Sequence, residues 1–391
     1  MKDFIVGIDI GTSSTRIVVC KEKEGSRKPQ IVATATVPSR GLRHGYITQP
    51  AEVTQSVKDA LAQVQKDIKQ PIRHAYVGLG GISLGSYVHS TSLAISGGNS
   101  QVTQADIDRI LEKGTEEITR DRKNIIVVHA FPIHYRIDNE EVLGTPLGMH
   151  GTQLHVKIIF ITTLDLHYET LVRSVEKADI EVIDVIAAPL ALSAVVMPHR
   201  HKTVGSLLLN IGAETTSLAV FEDGYLIDVS VVRFGSHDIT NDLALGFKID
   251  LEEAERVKKN PDHNPDIPKR KREEIINARL ADIFELVVKR LEAIKRHKIL
   301  PAGAVVLGGG AHIQNIESFT KDALDLPVRV LTDKHILEMT NRNIKDANML
   351  TAYGLCVLAL DEETYTSSYW SSGFFSSLKK FVDNFLEQFS P

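Results

Sequence analysis

Residues Phe4 to Val19 read FIVGIDIGTSSTRIVV. An apolar strand, Phe4 to Ile10, runs into the tight turn Gly11-Thr12-Ser13-Ser14 and returns as a second strand, Thr15 to Cys20. In the middle of the chain the same plan recurs in SLLLNIGAETTSLAVFEDG. Strand Ser206 to Asn210 meets the turn Ile211 to Thr216, strand Ser217 to Phe221 returns, and a turn at Glu222-Asp223-Gly224 leads to strand Tyr225 to Val232. Two such hairpins facing each other across a cleft would offer backbone N–H groups and hydroxyls to a phosphate chain. Glycine is required at the bend because the backbone must come close to the phosphates. Either turn alone is equally an ordinary β-hairpin; the duplication at domain-scale separation favours the phosphate reading. The candidates are Asp9, Gly11, Thr12, Ser13 and Arg16 in the first copy and Asn210, Gly212, Ala213, Thr215 and Thr216 in the second. Asp9, just before its turn, is placed to organise Mg²⁺ through water, because Mg²⁺ prefers oxygen ligands and keeps much of its hydration.

A third element is LGGGAHIQNI, Leu307 to Ile316. A strand (Ala304 to Leu307), then Gly308, Gly309 and Gly310, then a helix would let a flat base pack against bare backbone; a merely flexible strand-to-helix turn is the plainer alternative. Between these landmarks the pattern predicts strands at Ile31 to Val37 and Tyr76 to Leu79, and a helix over Ala51 to Ile68 with Val53, Val57, Leu61 and Val64 on one face. From Ile82 to Lys157 the character changes to a small α+β unit. Thr103 followed by Asp106 signals a capped helix running to about Thr119, followed by strands Ile125 to His129 and His134 to Ile137. A strand over Leu154 to Thr162 and a helix over Leu166 to Lys177 come next, and Leu190 to Val196 reads as a helix end or connector. The Pro- and charge-rich run KKNPDHNPDIPKRKREE, flanked by two helices, is expected to be exposed, and Ile344 to Leu360 is apolar and helical.

Composition limits the alternatives. The 391 residues suit two to three globular units, and 43% hydrophobic with 24% charged residues is ordinary for folded protein. A net charge of −5 argues against a dedicated nucleic-acid binder, so no nucleic-acid partner is expected. Cys20 and Cys356 each sit in an apolar run and read as buried free thiols of a reducing compartment. The 15 histidines have no zinc-ligand spacing, and the short basic run at Lys269 to Glu274 reads as a solvated helix start. MKDFIVGIDIG is not a secretory signal, and no run reaches the roughly 20 apolar residues of a membrane span, so membrane contact would be peripheral.

The three glycine elements in this order resemble the actin-like ATPase superfamily, in which the hairpins hold phosphates and the later turn holds adenosine. The inserted unit, the run PLGMHG at Pro146 to Gly151 and the strand LHVKIIFIT narrow the resemblance to the FtsA family; IINARLADIF at Ile275 to Phe284 is similar to that family's nucleotide-side helix, with Arg279 at a usually basic position. The resemblance covers about residues 4 to 362. It implies an α/β, actin-like two-domain fold: duplicated ribonuclease-H-like cores around a nucleotide cleft, an inserted SHS2-type subdomain and a C-terminal amphipathic helix. The first core would take 1–81, 158–200 and 345–362, the insert 82–157, and the second core 201–236 and 301–344. A nucleotide-side subdomain would take 237–300, a linker 363–373 and the terminal helix 374–391. The implied ligands are ATP and Mg²⁺. The implied partners are the C-terminal tail of FtsZ, docking at about His237 to Leu300, further copies of the chain in an actin-like filament or dimer, an anionic phospholipid surface, and other division proteins. The implied location is the cytoplasmic face of the membrane at the division site. A PilM-like protein of type IV pilus assembly, with the same fold, is the alternative; a small-molecule kinase of the superfamily would need a carboxylate base that the sequence does not offer.

Two departures from the superfamily pattern stand in the second hairpin: Asn210 where Asp is common, and Glu214 where Gly is usual. Asn supplies no carboxylate charge, and Glu214 would repel phosphates unless it points away. The run VIAAPLALS offers no catalytic Glu or Gln. Nucleotide binding with at most weak ATPase activity is therefore expected.

In the tail, Phe374, Phe375, Leu378, Phe381, Val382, Phe385, Leu386 and Phe389 recur at helical spacing against a polar opposite face. Such a helix, roughly 24 Å long, suits lying in the headgroup region, although packing on the protein's own core or in a dimer is what such a helix does elsewhere. The polar run from Asp361 to Gly373 separates it from the globular part, and the resemblance implies membrane targeting.

Overall fold

The FIVGIDIGTSSTRIVV run forms the antiparallel pair β1 (Ile5–Ile10) and β2 (Ser14–Lys21), and β3 (Gln30–Pro38) continues the meander. The structure, a computed structural model, describes residues 4–365 except 24, 27, 97, 98, 261, 262, 332, 341–343 and 345. The expected membrane helix and most of the linker lie outside the described residues.

A short hairpin, β4 (Leu42–Arg43) and β5 (Tyr46–Ile47), precedes helix α1 (Pro50–Ile68), which opens on a proline suited to a first turn and stops where Lys69 turns left-handed at φ 54°. Its Val53, Val57, Leu61 and Val64 are buried, as their spacing predicted. Strand β6 (His74–Leu79) then pairs parallel with β1. The inserted unit comprises β7 (Gly85–Ala94), α2 (Gln104–Asp121), β8 (Ile125–Ile137), β9 (Glu140–Val142) and β10 (Gln153–Leu164). The chain returns through α3 (Asp165–Glu176), β11 (Glu181–Ala187), α4 (Ala188–Val196) and α5 (His199–Val204).

The second core repeats the first: β12 (Ser206–Ile211), β13 (Thr216–Glu222) and β14 (Tyr225–Val232) form an antiparallel meander. Helices α6 (Ser236–Phe247), α7 (Leu251–Lys259) and α8 (Lys269–Ala293) follow, then β15 (Ala304–Leu307), a 3₁₀ turn at Gly309–His312, α9 (Ile316–Leu324), β16 (Val328–Val330), α10 (Asp333–Met339), a 3₁₀ turn at Ala347–Met349 and α11 (Leu350–Tyr365). The first sheet runs β11-β6-β1-β2-β3, and part of the second runs β16-β15-β12-β13-β14. The two orders correspond strand for strand, so the duplication extends beyond the hairpins to whole sheets.

Several elements differ from expectation. β8 is one strand through Pro132, not two. β9 pairs only with Tyr135 to Ile137, so at Pro132 the strand has β10 alone beside it, and a bulge there absorbs the missing donor. Leu190 to Val196 belongs to a true helix, α4, and α11 starts at Leu350 rather than Ile344 but continues to Tyr365, into the expected linker. The unit read as an insert at 82–157 lies in the chain between β6 and β11 of the first sheet, and its own sheet also continues that of the second core, through the bridged pair Ser230 and Gly85. Buried Asp228 locks that seam, accepting from Ser86 Oγ at 2.8 Å and from Arg290 Nε at 3.0 Å.

Apolar cores hold each part. Ile8, Val18 and Val57 centre the first, Leu209, Leu280 and Phe284 the second, and Ile110, Ile158 and Phe160 that of the insert. Each such side chain contributes about 2 kcal/mol by leaving water. Among the buried polar groups, His129, fully enclosed, accepts from the Ala187 N–H at 3.1 Å. Burial pushes its pKa from 6.5 down to about 3. The folded form therefore holds it neutral, and its contribution is complete above pH 6.5 and shrinks as the pH falls from there towards 3. Stability against urea should fall by about 2 kcal/mol between pH 7 and pH 5 from this group alone. A His129→Gln variant should flatten that slope, and an identical slope in the variant would assign it elsewhere.

Candidate functional site

The two hairpin turns close in the same way. The Gly11 N–H donates to the Ser14 carbonyl at 3.1 Å, and the Gly212 N–H to the Thr215 carbonyl at 2.8 Å. Asp9 stands opposite Arg16 in the first ladder, and Asn210 opposite Ser217 in the second. The second turn is braced from behind by the start of α6. The Ser236 and His237 N–H groups donate to the Gly212 and Ala213 carbonyls at 2.9 and 2.7 Å, and a Cβ on Gly235 would sit 2.5 Å from the Ala213 oxygen. Only glycine fits that approach.

Between the turns lies a cavity of about 450 Å³, within the range of small-molecule sites. Asp9, Gly11, Thr12, Ser13 and Arg16 line it from one side, Asn210, Gly212, Ala213 and Thr215 from the other, and Gly309 from the third element. Four expected residues are not on the lining. Thr216 is buried and its hydroxyl donates to the Phe234 carbonyl at 2.9 Å, tying β13 to the approach of α6. Gly308, at φ +94°, and Gly310 are packing glycines: a Cβ on either would come within 2.4 Å of Asn210 or Ile211. Gly309, with nothing within 4 Å, is the glycine that faces the cavity. Arg279 is committed to Asp242, with Nε to Oδ2 at 2.7 Å, and to Asp282 at 3.1 Å.

Arg279 is off the cavity wall, and lysines that do line it belong to α7. Glu255, Lys258 and Lys259 line the cavity together. Lys258 Nζ reaches Glu255 Oε2 at 2.6 Å, Thr240 Oγ1 at 2.7 Å and the Ser236 carbonyl at 2.9 Å; Lys259 Nζ lies 3.1 Å from Glu255 Oε1. Burial opposes the charge on Glu255, but Lys258 and Thr240 hold its pKa down to about 2. Burial lowers the pKa of Lys258, against the pull of Glu255. The sequence reading placed Lys258 in an exposed loop, yet it is 8% exposed. The signal available was spacing: Glu255, Lys258 and Lys259 at i, i+3 and i+4 share one face of a helix. Asn348, in the 3₁₀ turn before α11, Thr351, at the start of α11, and Gly45, Gly80 and Gly81 also line the cavity without a sequence signal of their own.

Asp9 pairs with Arg16 at 3.6 Å, and burial pushes its pKa up against that partner. Among the described residues no group of three His, Cys, Asp or Glu could hold a metal unaided. Asp9 by itself suits Mg²⁺ held largely by water and by phosphate oxygens. α4 presents Ala188, Pro189 and Leu192 to the cavity, so the lining's carboxylates are Asp9 and Glu255. Glu214 does not intrude on the cavity. It turns to the opposite lobe, where its Oε2 accepts from the His44 N–H at 2.6 Å.

The architecture recurs in solved structures. The PilM–PilN type IV pilus biogenesis complex matches with a TM-score of 0.68 at 19% identity, over 92% of this chain and 99% of that one. MreB5 of Spiroplasma citri bound to ADP matches with a TM-score of 0.52 at 14% identity, over 92% and 96%. The fold is thus that of the actin-like ATPases, with an SHS2 domain inserted. In sequence, residues 207–354 match the model of the cell division protein FtsA, and residues 81–162 the SHS2 domain inserted in FtsA. The FtsA of Bacillus subtilis strain 168 is 28% identical over 91% of this chain and 83% of its own length; that of Pseudomonas aeruginosa PAO1 is 27% identical over 94% and 92%. The chain belongs to the FtsA family and is a cell-division protein.

Proposed function

We propose that this cell-division protein binds ATP with Mg²⁺ between its paired turns, self-associates, and tethers FtsZ filaments to the cytoplasmic face of the membrane at the division site. The observation that carries the nucleotide reading is the closure of two equivalent glycine turns on one cavity. Their amides and the Thr12, Ser13 and Thr215 hydroxyls suit a phosphate chain. Glu255 and Lys259 offer an acceptor and donors for ribose hydroxyls, with Lys258 holding Glu255 in place, and Gly309 leaves bare backbone for a base. Mg²⁺ would supply charge neutralisation between phosphate oxygens, with Asp9 holding its waters. Weak hydrolysis fits the lining: Glu255 is neutralised by two lysines, α4 brings no carboxylate, and Asn210 replaces a charge. Calorimetric titration with MgATP and MgADP tests the reading. Micromolar binding of both is expected, and no heat at millimolar nucleotide would overturn it.

The membrane part rests on the aromatic face from Phe374 to Phe389. The two lysines of that helix are balanced by Asp383 and Glu387, so attachment should rest on apolar burial and depend only modestly on salt. Phe381→Glu should cut co-sedimentation with anionic vesicles by about tenfold or more, in line with the loss of one buried aromatic ring. Unchanged pelleting would remove the anchor. The FtsZ tail would dock on the subdomain over 237–300, which deletion of that segment's surface charges would test by peptide binding.

A further inference from the structure

Glu214 occupies the turn position where the superfamily pattern usually has glycine, and its carboxylate would ordinarily be expected to repel a phosphate chain. The structure uses it differently. Its Oε2 accepts from the His44 backbone N–H at 2.6 Å, and its own carbonyl lies 3.2 Å from His44 Nδ1. His44 sits in the turn between β4 and β5, on the first lobe, with a left-handed φ of 49°. The two residues are 170 positions apart. Their immediate neighbours, Gly45 on one side and Ala213 and Thr215 on the other, line the cleft. The contact therefore crosses from lobe to lobe at the rim beside the turns.

Both anchoring turns are stiff. Gly45 lies so close to Gly81 that a Cβ would fall 2.4 Å from the Gly81 Cα, and a Cβ on Gly81 would meet His167 Cε1 at 2.8 Å. The turn carrying Glu214 is braced by the Ser236 and His237 amides. A hydrogen bond between two braced turns resists their separation, whereas one between two loose loops would only follow them.

We propose that Glu214 is a positioning residue that latches the lobes across the cleft rim and so slows release of bound nucleotide. This rests on the nucleotide reading above. A short hydrogen bond from a backbone amide to a side-chain oxygen is strong enough to matter.

Two simpler roles make different forecasts. If Glu214 merely repelled phosphates, removing its charge would tighten binding and slow release. If it were only structural, release would follow stability. The test measures dissociation of a fluorescent (methylanthraniloyl) ATP chased by excess ATP in the native protein, Glu214→Ala and Glu214→Gln, with circular dichroism and melting curves in parallel. Glutamine keeps an acceptor for the His44 amide but loses the charge. The latch predicts release about tenfold faster in Glu214→Ala and within about twofold of native in Glu214→Gln. Release unchanged or slowed in Glu214→Ala, or accelerated equally in both variants, would overturn it. Hydrogen exchange in protein without nucleotide separates the latch from the reading it rests on. The segment Leu42–Ile47 should exchange faster in Glu214→Ala and not in Glu214→Gln; equal protection in all three overturns the latch. Failure of the native chain to bind the fluorescent ATP would overturn the nucleotide reading and the release role with it.

Discussion

Replacing Lys258 with alanine is expected to weaken MgATP and MgADP binding about a hundredfold, which corresponds to about 2.7 kcal/mol. The ammonium is held by the Glu255 carboxylate, the Thr240 hydroxyl and the Ser236 carbonyl, and it sits on the cavity wall. Removing it does two things. It takes a positive charge off the cavity wall, and it leaves a half-buried carboxylate with Lys259 as its remaining cation, which adds repulsion where a polyanion should lie. Both effects have the same sign, which is why a large loss is expected from one side chain. Lysine at this position cannot be replaced by arginine without cost, because three partners converge on a single nitrogen. Calorimetry on Lys258→Ala, with unfolding curves to show an intact fold, checks the prediction; an affinity within threefold of native, about 0.65 kcal/mol, would contradict it.

Gly354→Val is expected to destabilise the fold by about 3 kcal/mol or more. A Cβ on Gly354 would lie 2.0 Å from the Ala191 carbonyl oxygen of α4, and one on Gly7 would lie 2.1 Å from the Ala352 oxygen of α11. Glycines on both sides thus let α11 settle against β1 and α4 at once. The obstructing atoms are backbone, which cannot swing aside as the end of a long side chain can. α11 would have to lift away, taking Asn348 and Thr351 with it from the cavity wall. Urea midpoints measure the effect. Gly85→Ala, with nothing within 4 Å of the added carbon, serves as the control that should not move. A native-like midpoint for Gly354→Val would mean that the helices can separate without penalty.

How much was legible in the sequence follows from which signals are local. The hairpins were read to within a residue or so because an apolar run, a glycine bend and a returning run are complete in themselves. Nine of the expected site residues from the two turns and one of the three glycines at 308–310 meet in the cavity for the same reason. The misplacements are tertiary. Gly308 and Gly310 look the same as Gly309 in sequence, and only the proximity of Asn210 and Ile211 distinguishes packing glycines from the one that faces the cleft. Arg279 was placed by family position, but Asp242, 37 residues away, claims its guanidinium. Lys258 reads as a loop residue because the Pro- and charge-rich run beginning there masks the helical spacing behind it. Strand β7 lacks a strong apolar alternation and was not foreseen; it is fixed by ten residue pairs with β10. The merger of the insert's sheet with the second core could not be seen at all, since it depends on Ser230 meeting Gly85.

If nucleotide binds as proposed, both glycine turns grip the same phosphate chain. Hydrogen exchange of the native protein with and without MgATP addresses it directly, read on the segments Ile10–Thr15 and Ile211–Thr216. Slower exchange in both segments is expected on adding nucleotide. Protection in neither, or in one without the other, would contradict it.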